Sequence, residues 1–366
     1  MIPQGSSQTS STENPDIARA REIVLTSGWN STSFQIVNPG ICRWFSSDGD
    51  AVVGFAHAGR VRVVAGAPVC DKGRLADVAA EFENDAAREG QHVCYFGAER
   101  RLETIYSDSN KHTKFLLGAQ PSWCPSNWAG NIATYKSLRA QLNRARNKGV
   151  TVSEWPAEMG YENPSLLRVL EEWLGSKGLP PLHFMVESDT LSRLENRRVF
   201  VAESPNGVVG FVVLSPIVKR NGWLFEQFPH SPHAPNGTVE LMIDTAMRSL
   251  AQDGYEYATL GLSPLSTRSD VEPFHNPLWL RAMLAWLRKH GQRFYNFDGL
   301  DSFKAKLRPD QWEPVFAVSN EPRVSYKTLH AISGAFSGNS TSRMVAGGLV
   351  RAATTEFRWV RRRLLR

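Results

Sequence analysis

A chain of 366 residues, 42% hydrophobic and 21% charged, has enough apolar material for two ordinary domains without help from disulfides. Its four cysteines, Cys42, Cys70, Cys94 and Cys124, are widely spaced with no CxxC pair, which argues against a zinc site and fits buried thiols in a reducing compartment. The formal charge of +6 is segregated: Arg343 to Arg366 holds seven arginines and one acid, and Ser109 to Ser153 holds seven Lys/Arg and no acid, so polyanions such as nucleic acid or an anionic membrane surface are the expected partners.

Residues 1–15 are polar and read as disordered, with no apolar core of a secretory signal. No run of about 18 apolar residues occurs, so no membrane-spanning helix is expected. Residues 16–30 predict a helix with Ile17, Ala20, Ile23 and Val24 on one face. Trp44-Phe45, Ala51–His57 and Arg60–Ala65, separated by Gly-containing turns, predict a β-meander ending at Gly66-Ala67-Pro68. Leu75–Glu89 is an amphipathic helix stopping at Gly90, His92–Ala98 a strand and Leu102–Ser107 a short helix. Ile132–Lys148 predicts one basic helix closed by Gly149.

A similar order then returns. After a helix at Pro164–Gly175, the segments Arg198–Ala202, Val208–Ile217 and Trp223–Phe228 form a second meander with Asn-Gly turns. Val239–Gln252 is a helix, Tyr257–Leu262 a strand, Pro277–His290 a helix and Arg293–Asp298 a strand. Ser319–Ser342 reads as a linker by composition. Beyond it, Leu349, Ala353, Phe357, Val360 and Leu364 repeat at helical spacing among arginines. The expected division is a disordered 1–15, an α/β unit at 16–150, a second at 151–320, a linker at 321–342 and a basic amphipathic helix at 343–366.

Two motifs stand out in the last third. Leu260-Gly-Leu-Ser-Pro-Leu-Ser266 ends a short apolar run. Phe294-Tyr-Asn-Phe-Asp-Gly-Leu-Asp-Ser-Phe-Lys-Ala-Lys306 leads on to Pro309, Trp312 and Pro314. Strands ending side by side here would bring the Ser263–Ser266 turn to Lys304 and Lys306, at the strand ends where α/β proteins build sites. With Trp173-Leu174 and Ala234-Pro-Asn-Gly-Thr-Val-Glu-Leu241, these motifs resemble the catalytic domain of the phosphatidylglycerol lysyltransferases, or aminoacyl-phosphatidylglycerol synthases. A weaker match in the first half includes Gly66-Ala67-Pro68, Leu117-Gly118 and Ser137 to Gly149, so the resemblance runs from about Ala20 to Val318.

The resemblance implies an α/β (α+β) chain of two tandem acetyltransferase-like (GNAT-type) domains, with mixed sheets flanked by helices. It implies transfer of an amino acid from aminoacyl-tRNA to a lipid hydroxyl of the phosphatidylglycerol type, with no cofactor and no metal. Two features depart from the family. No large N-terminal membrane flippase is present, and Glu226-Gln-Phe-Pro229 stands where many members have Asp-Leu-Met-Arg, so the acid is kept and the arginine lost.

Transfer of an activated ester needs alignment, proton removal and stabilisation of an oxyanion. Glu226 is the first base candidate, with His230 as a proton relay and Ser263 and Lys304 as further catalytic candidates. Asn236, Glu240, Ser266, Asp298 and Lys306 are the substrate-binding candidates. On the basic helix, Lys136, Arg139, Arg144, Arg146 and Lys148 would track a tRNA backbone. Arg351, Phe357, Arg358, Trp359, Arg361 and Arg362 would hold the chain to anionic lipid at the inner face of the cytoplasmic membrane. DNA is not expected as a partner.

Each group also has a plainer reading: Glu226 as a surface or capping acid, the histidines as solvated loop residues, Asn236-Gly237 and Ser263 as turn formers, and the basic pair and helix as solvated charge. Two other functions fit the same pattern, an acyl-CoA-dependent transferase of this fold or a non-catalytic membrane- or RNA-binding module. The absence of a visible Arg/Gln-x-x-Gly-x-Gly/Ala loop counts against the first.

Overall fold

The structure, a computed structural model, describes residues 14–176, 184–186, 190–269, 276, 297–323 and 325–336. Its helices are α1 (Pro15–Ser27), α2 (Leu75–Arg88), α3 (Arg100–Ile105), α4 (Trp128–Thr134), α5 (Lys136–Asn147), α6 (Ala157–Gly160), α7 (Pro164–Gly175), α8 (Thr238–Gln252), α9 (Phe297–Lys306) and α10 (Tyr326–Phe336). Its strands are β1 (Cys42–Phe45), β2 (Val52–Ala58), β3 (Val61–Ala65), β4 (His92–Ala98), β5 (Thr113–Trp123), β6 (Thr151–Trp155), β7 (Arg198–Ser204), β8 (Gly207–Ile217), β9 (Gly222–Phe225), β10 (Tyr257–Thr259), β11 (Ser263–Pro264) and β12 (Gln311–Ser319). Local chemistry sets several helix starts. Asn14 and Asn163 each accept a backbone N–H of the first turn, with Pro15 and Pro164 following them.

The expected α/β repeat is present. In the first half the β1–β2–β3 meander leads through α2 to β4, which runs parallel to β3. In the second half β6–β9 form a meander that leads through α8 to β10, parallel to β9. All twelve strands join one sheet in the order β1-β2-β3-β4-β12-β5-β10-β9-β8-β7-β6, with β11 also on β5.

The centre of that sheet exchanges strands between the halves. β5 closes the first half in sequence but pairs with β10 and β12; β12 closes the second but lies between β4 and β5. The cores follow the exchange. Trp123 of β5 and Leu138, Leu142 and Ala145 of α5 pack with Met242, Met247 and Phe225 of the second half. Phe316 and Val318 of β12 pack with Val78 and Phe82 of α2, and Ala331 and Ala335 of α10 pack with Phe34 and Val63.

One face of the sheet is covered by α1, the Ser33–Val37 turn and α10 in the first half and by α7 in the second. The other is covered by α2 and α3, then by α4, α5, α8 and the end of α9. We call these the α1 face and the α8 face.

Several elements differ from the sequence-based expectation. The basic helix is two helices, α4 and α5, separated at Tyr135, whose backbone is extended at ψ 95°. The aromatic segment expected to be a strand is helical from Phe297 on, and the strand of this region is β12, further along. Pro277–His290 and residues 293–296 lie outside the described residues. The stretch read as linker contains α10, whose Ala331 and Ala335 are buried.

Candidate active site

The turn after β10 is where the chemistry-bearing residues gather. After Thr259 the chain leaves the ladder for Leu260-Gly261-Leu262, and it rejoins β5 at Ser263 and Pro264. Gly118 of β5 makes this approach possible. A Cβ there would lie 2.2 Å from the Ser263 carbonyl oxygen, so no other residue fits. The bulged carbonyls of Gly261 and Leu262 accept hydrogen bonds from Lys304 Nζ at 2.8 and 2.9 Å. Lys304 and the Ser263 turn are therefore neighbours, but Lys304 arrives in the last turn of helix α9 and not on a strand.

Lys304 is 3% exposed, and burial pulls its amine down to about 7 against the opposing influence of Asp301. Ser263 is buried and its hydroxyl has no hydrogen-bond partner among the described residues. Ser266 is buried too, its hydroxyl oxygen accepting the Arg268 N–H. Lys306 reaches sideways to Glu240 in the first turn of α8 at 2.9 Å. Asp298 lies in the first turn of α9.

The Asn236-Gly237 pair joins this turn to α5. Gly237 has φ +95°, and a Cβ there would meet the Gln141 carbonyl oxygen of α5 at 2.1 Å. The motif thus lets α5 pack against the start of α8, one turn from the Glu240–Lys306 pair, while Asn236 itself is exposed. The basic helix and the lysine-bearing turn consequently share the α8 face.

On α5, Lys136 and Arg144 are exposed and Arg139 is half-buried, and Lys148 just after the helix is exposed. Arg146 is turned inward in part. It pairs at 2.9 Å with Asp244, a fully buried carboxylate that also accepts from Trp128 Nε1 and Arg248 Nε, each at 3.0 Å. Among the described residues no cluster of His, Cys, Asp and Glu has the makings of a metal site. Arg351, Phe357, Arg358, Trp359, Arg361 and Arg362 lie outside the described residues.

Glu226 is not brought to Lys304. It follows β9, and its carboxylate projects to the α1 face, where Arg197 Nε donates to it at 2.9 Å with both side chains buried. Arg197 also donates to the Asn38 side chain at 2.8 Å and the Arg193 carbonyl at 2.6 Å, and it stacks over Phe34. Lys304 meets the sheet from the α8 face. His230 sits opposite Gly210 of β8, with Nδ1 2.8 Å from the Phe228 carbonyl oxygen.

Glu226→Ala should cost about 3–5 kcal/mol of stability by stranding the buried Arg197 guanidinium. Urea denaturation checks this, and an unchanged midpoint would refute the ion pair's structural weight. Loss of activity in that variant would not by itself identify a base.

A second polar cluster, not anticipated from the sequence, lies on the α1 face where the halves meet. Arg220 binds Glu313 of β12 through two hydrogen bonds, 2.8 and 3.1 Å, and stacks 4.0 Å from the Tyr257 ring centroid. Gln120 Nε2 and the Tyr257 hydroxyl donate to the same carboxylate at 3.0 and 3.1 Å. Glu99 stands 3.6 Å from Arg220 and accepts the Ser31 N–H at 2.7 Å; burial pushes its carboxyl up, against the pull of Arg220. These residues come from six separate segments, and no motif marks them. Only the alternation Gln311, Glu313 along β12 hints that Glu313 faces out of the sheet.

Comparison with known proteins agrees with this architecture. The family model of the C-terminal region of phosphatidylglycerol lysyltransferase matches residues 21–319. The phosphatidylglycerol lysyltransferase of Bacillus subtilis is 24% identical over 292 residues, 79% of this chain and 33% of the relative. That of Staphylococcus epidermidis is 20% identical over 306 residues, 83% of this chain and 36% of the relative. The chain thus spans about a third of the length of these relatives. Among solved structures, L-PGS from Bacillus licheniformis superposes with a TM-score of 0.73 at 23% identity, covering 91% of this chain and 98% of that one. The C-terminal domain of a protein assigned as a lysylphosphatidylglycerol synthetase from Agrobacterium fabrum gives 0.74 at 24% identity, covering 89% and 97%.

Proposed function

Because the chain belongs to the family of phosphatidylglycerol lysyltransferase C-terminal domains, we propose that it moves an aminoacyl group from aminoacyl-tRNA to a hydroxyl of a phosphatidylglycerol-type lipid, at the inner face of the cytoplasmic membrane. The observation that carries this reading is the shared face: the exposed cations of α5 and the buried Lys304 turn lie on the same side of the sheet, joined through Gly237 and the Glu240–Lys306 pair.

In the reaction, the acceptor hydroxyl oxygen bonds to the aminoacyl carbonyl carbon and the ester bond to the terminal ribose breaks. The acceptor's proton ends on the ribose oxygen, so no oxidant or cofactor is consumed. The donor ester is already reactive, and good alignment supplies on the order of 7–11 kcal/mol. Lys136, Arg139, Arg144 and Lys148 would hold tRNA phosphates, with Arg146 contributing its charge while tied to Asp244. Lys304, protonated, would offset the charge that develops on the carbonyl oxygen or hold the lipid phosphate. The Ser263 hydroxyl is a free donor beside it. Ser266 would contribute from the same turn, and Asp298 and Lys306 from the two ends of α9. Asn236 and Glu240 serve by placing α8. Glu226 would act through the Arg197 pair that braces the end of β9, with His230 flanking it.

The test is a charged-tRNA assay with the purified chain and total cellular lipid, read by mass spectrometry across several labelled amino acids. The expected product is one aminoacylated phospholipid, which names donor and acceptor together. An intact donor ester with accessible lipid and no product would overturn the reading.

A further inference from the structure

The environment of Lys304 contains a carboxylate that the motif does not account for. Asp301 lies three residues before Lys304, on the same side of α9. It is 7% exposed, yet one of its oxygens, Oδ1, is buried without a hydrogen-bond partner among the described residues. The other, Oδ2, accepts from Arg268 Nε at 2.7 Å. Arg268 is anchored twice more, by its backbone N–H on the Ser266 hydroxyl and by its guanidinium over the Trp312 ring, 5.6 Å from the centroid.

A carboxylate in such a place costs free energy unless a charge answers it. Arg268, with its side chain 44% exposed, answers it from the solvent side, and Lys304 is the cation on the buried side.

Building on the transfer reaction above, we propose that Asp301 is a positioning residue that keeps Lys304 protonated during turnover, and that Arg268 limits how strongly it does so. The three form a graded row: a half-exposed guanidinium, a buried carboxylate and, one helical turn on, a buried ammonium that donates to two carbonyls. Among the described residues Lys304 donates to two neutral carbonyls, so Asp301 is the opposite charge set against the burial that pulls its amine down to about 7. Among the described residues, a further charged pair near this end of α9, Lys306 with Glu240 of α8, is neutral in sum and joins the helix to a different element. Without Asp301 the amine would be neutral at pH 7, and the turn would offer no positive charge to a carbonyl oxygen or a phosphate.

The test reads the amine directly and does not require activity. Lysine Cε resonances of the full chain, isotopically labelled, are titrated by NMR, and Lys304 is assigned by its absence in Lys304→Met. Asp301→Asn should lower the Lys304 midpoint by about one pH unit, the effect of removing an opposite charge at close range. Arg268→Gln, at a half-exposed position, should raise it, because the Asp301 charge is then less offset. A midpoint that stays put in either variant, or moves in the opposite sense, overturns the proposal.

The transfer assay then separates the two readings. If the midpoints move as expected, the high-pH limb of the rate profile should move with them. Moved midpoints with no transfer in the unmodified chain would leave the electrostatic row standing and defeat the assigned reaction instead.

Discussion

Lys304→Met should slow transfer about 10²–10³-fold and, in the same protein, remove a rise in stability between pH 7 and pH 10.5. The sign follows from proton counts. The amine has an ordinary value of 10.5 and is held near 7 in the folded chain. Between those limits the unfolded chain binds one more proton than the folded one, so unfolding free energy increases with pH by up to about 1.4 kcal/mol per unit. Below about pH 7 both states carry the proton and the contribution is flat.

The buried thiols act in the opposite sense at higher pH. Burial pushes Cys70 to about 11 and Cys94 to about 12 from 9.0, so each favours the folded state less as pH rises through that range. The informative quantity is therefore the difference between the wild type and Lys304→Met, measured by urea denaturation at pH 6 to 10, where the thiol contributions cancel. A wild-type slope no steeper than the variant's would refute the buried-lysine assignment.

The activity side has an independent scale. Removing a preorganised group that stabilises developing charge costs about 10²–10³ in rate. A chain that keeps a costly buried cation and stops working when it is removed holds that cation for function, the pattern of a site that sacrifices stability for chemistry. If Lys304→Met kept full turnover, the turn at Gly261–Ser266 would be structural and the reaction would lie elsewhere.

The meeting of Lys304 with the Ser263 turn was legible because each motif carries strong local signals, an apolar run ended by Gly and Pro and paired lysines after an aromatic segment, although that segment was expected as a strand and is helical from Phe297 on. Periodicity also placed α2 and α8, whose apolar residues fall on one stripe. What stayed hidden was set by partners distant in sequence. β5 was not anticipated, since it carries Gly118 and Pro121, residues that disfavour a strand interior. In the sheet, Gly118 is there for the close approach of Ser263, and the Pro121 carbonyl oxygen accepts the Thr259 hydroxyl at 2.7 Å. Gly299 similarly reads as a turn but sits inside α9.

Glu226 was legible as a residue at a strand end and not as a partner of Arg197. Which face a side chain takes after a strand ends depends on one residue of register. Nothing near Glu226 announces Arg197, Asn38 or Phe34, which lie 29 to 192 positions away: one in the turn before β7 of the same half and two in the other half. The Arg220–Glu313 cluster has the same character, since it exists only once β12 has crossed to the middle of the sheet.

That crossing leads to the second large effect. Chains ending at 150 and beginning at 151 should each fail to fold alone and should fold when combined. A first fragment of residues 14–150 would expose the edge of β4 where β12 belongs, and it would lose Phe316, Ala317 and Val318 from its cores together with Ala331 and Ala335. It would also carry β5, α4 and α5 with Trp123, Trp128, Leu138 and Leu142 unburied, because their partners are Met242, Met247 and Phe225. Losing even one large buried side chain costs about 3–5 kcal/mol, and domains are stable by only about 5–15 kcal/mol, so neither fragment retains a margin. Circular dichroism with thermal melts on each fragment and on the equimolar mixture decides the matter: no cooperative transition alone, one transition together. A fragment that melts cooperatively by itself would show that the exchanged strands are dispensable. The mixture should also recover the active turn, because β5 from one fragment is the surface on which Ser263 and Pro264 of the other are laid, right after the Gly261 and Leu262 carbonyls that Lys304 holds.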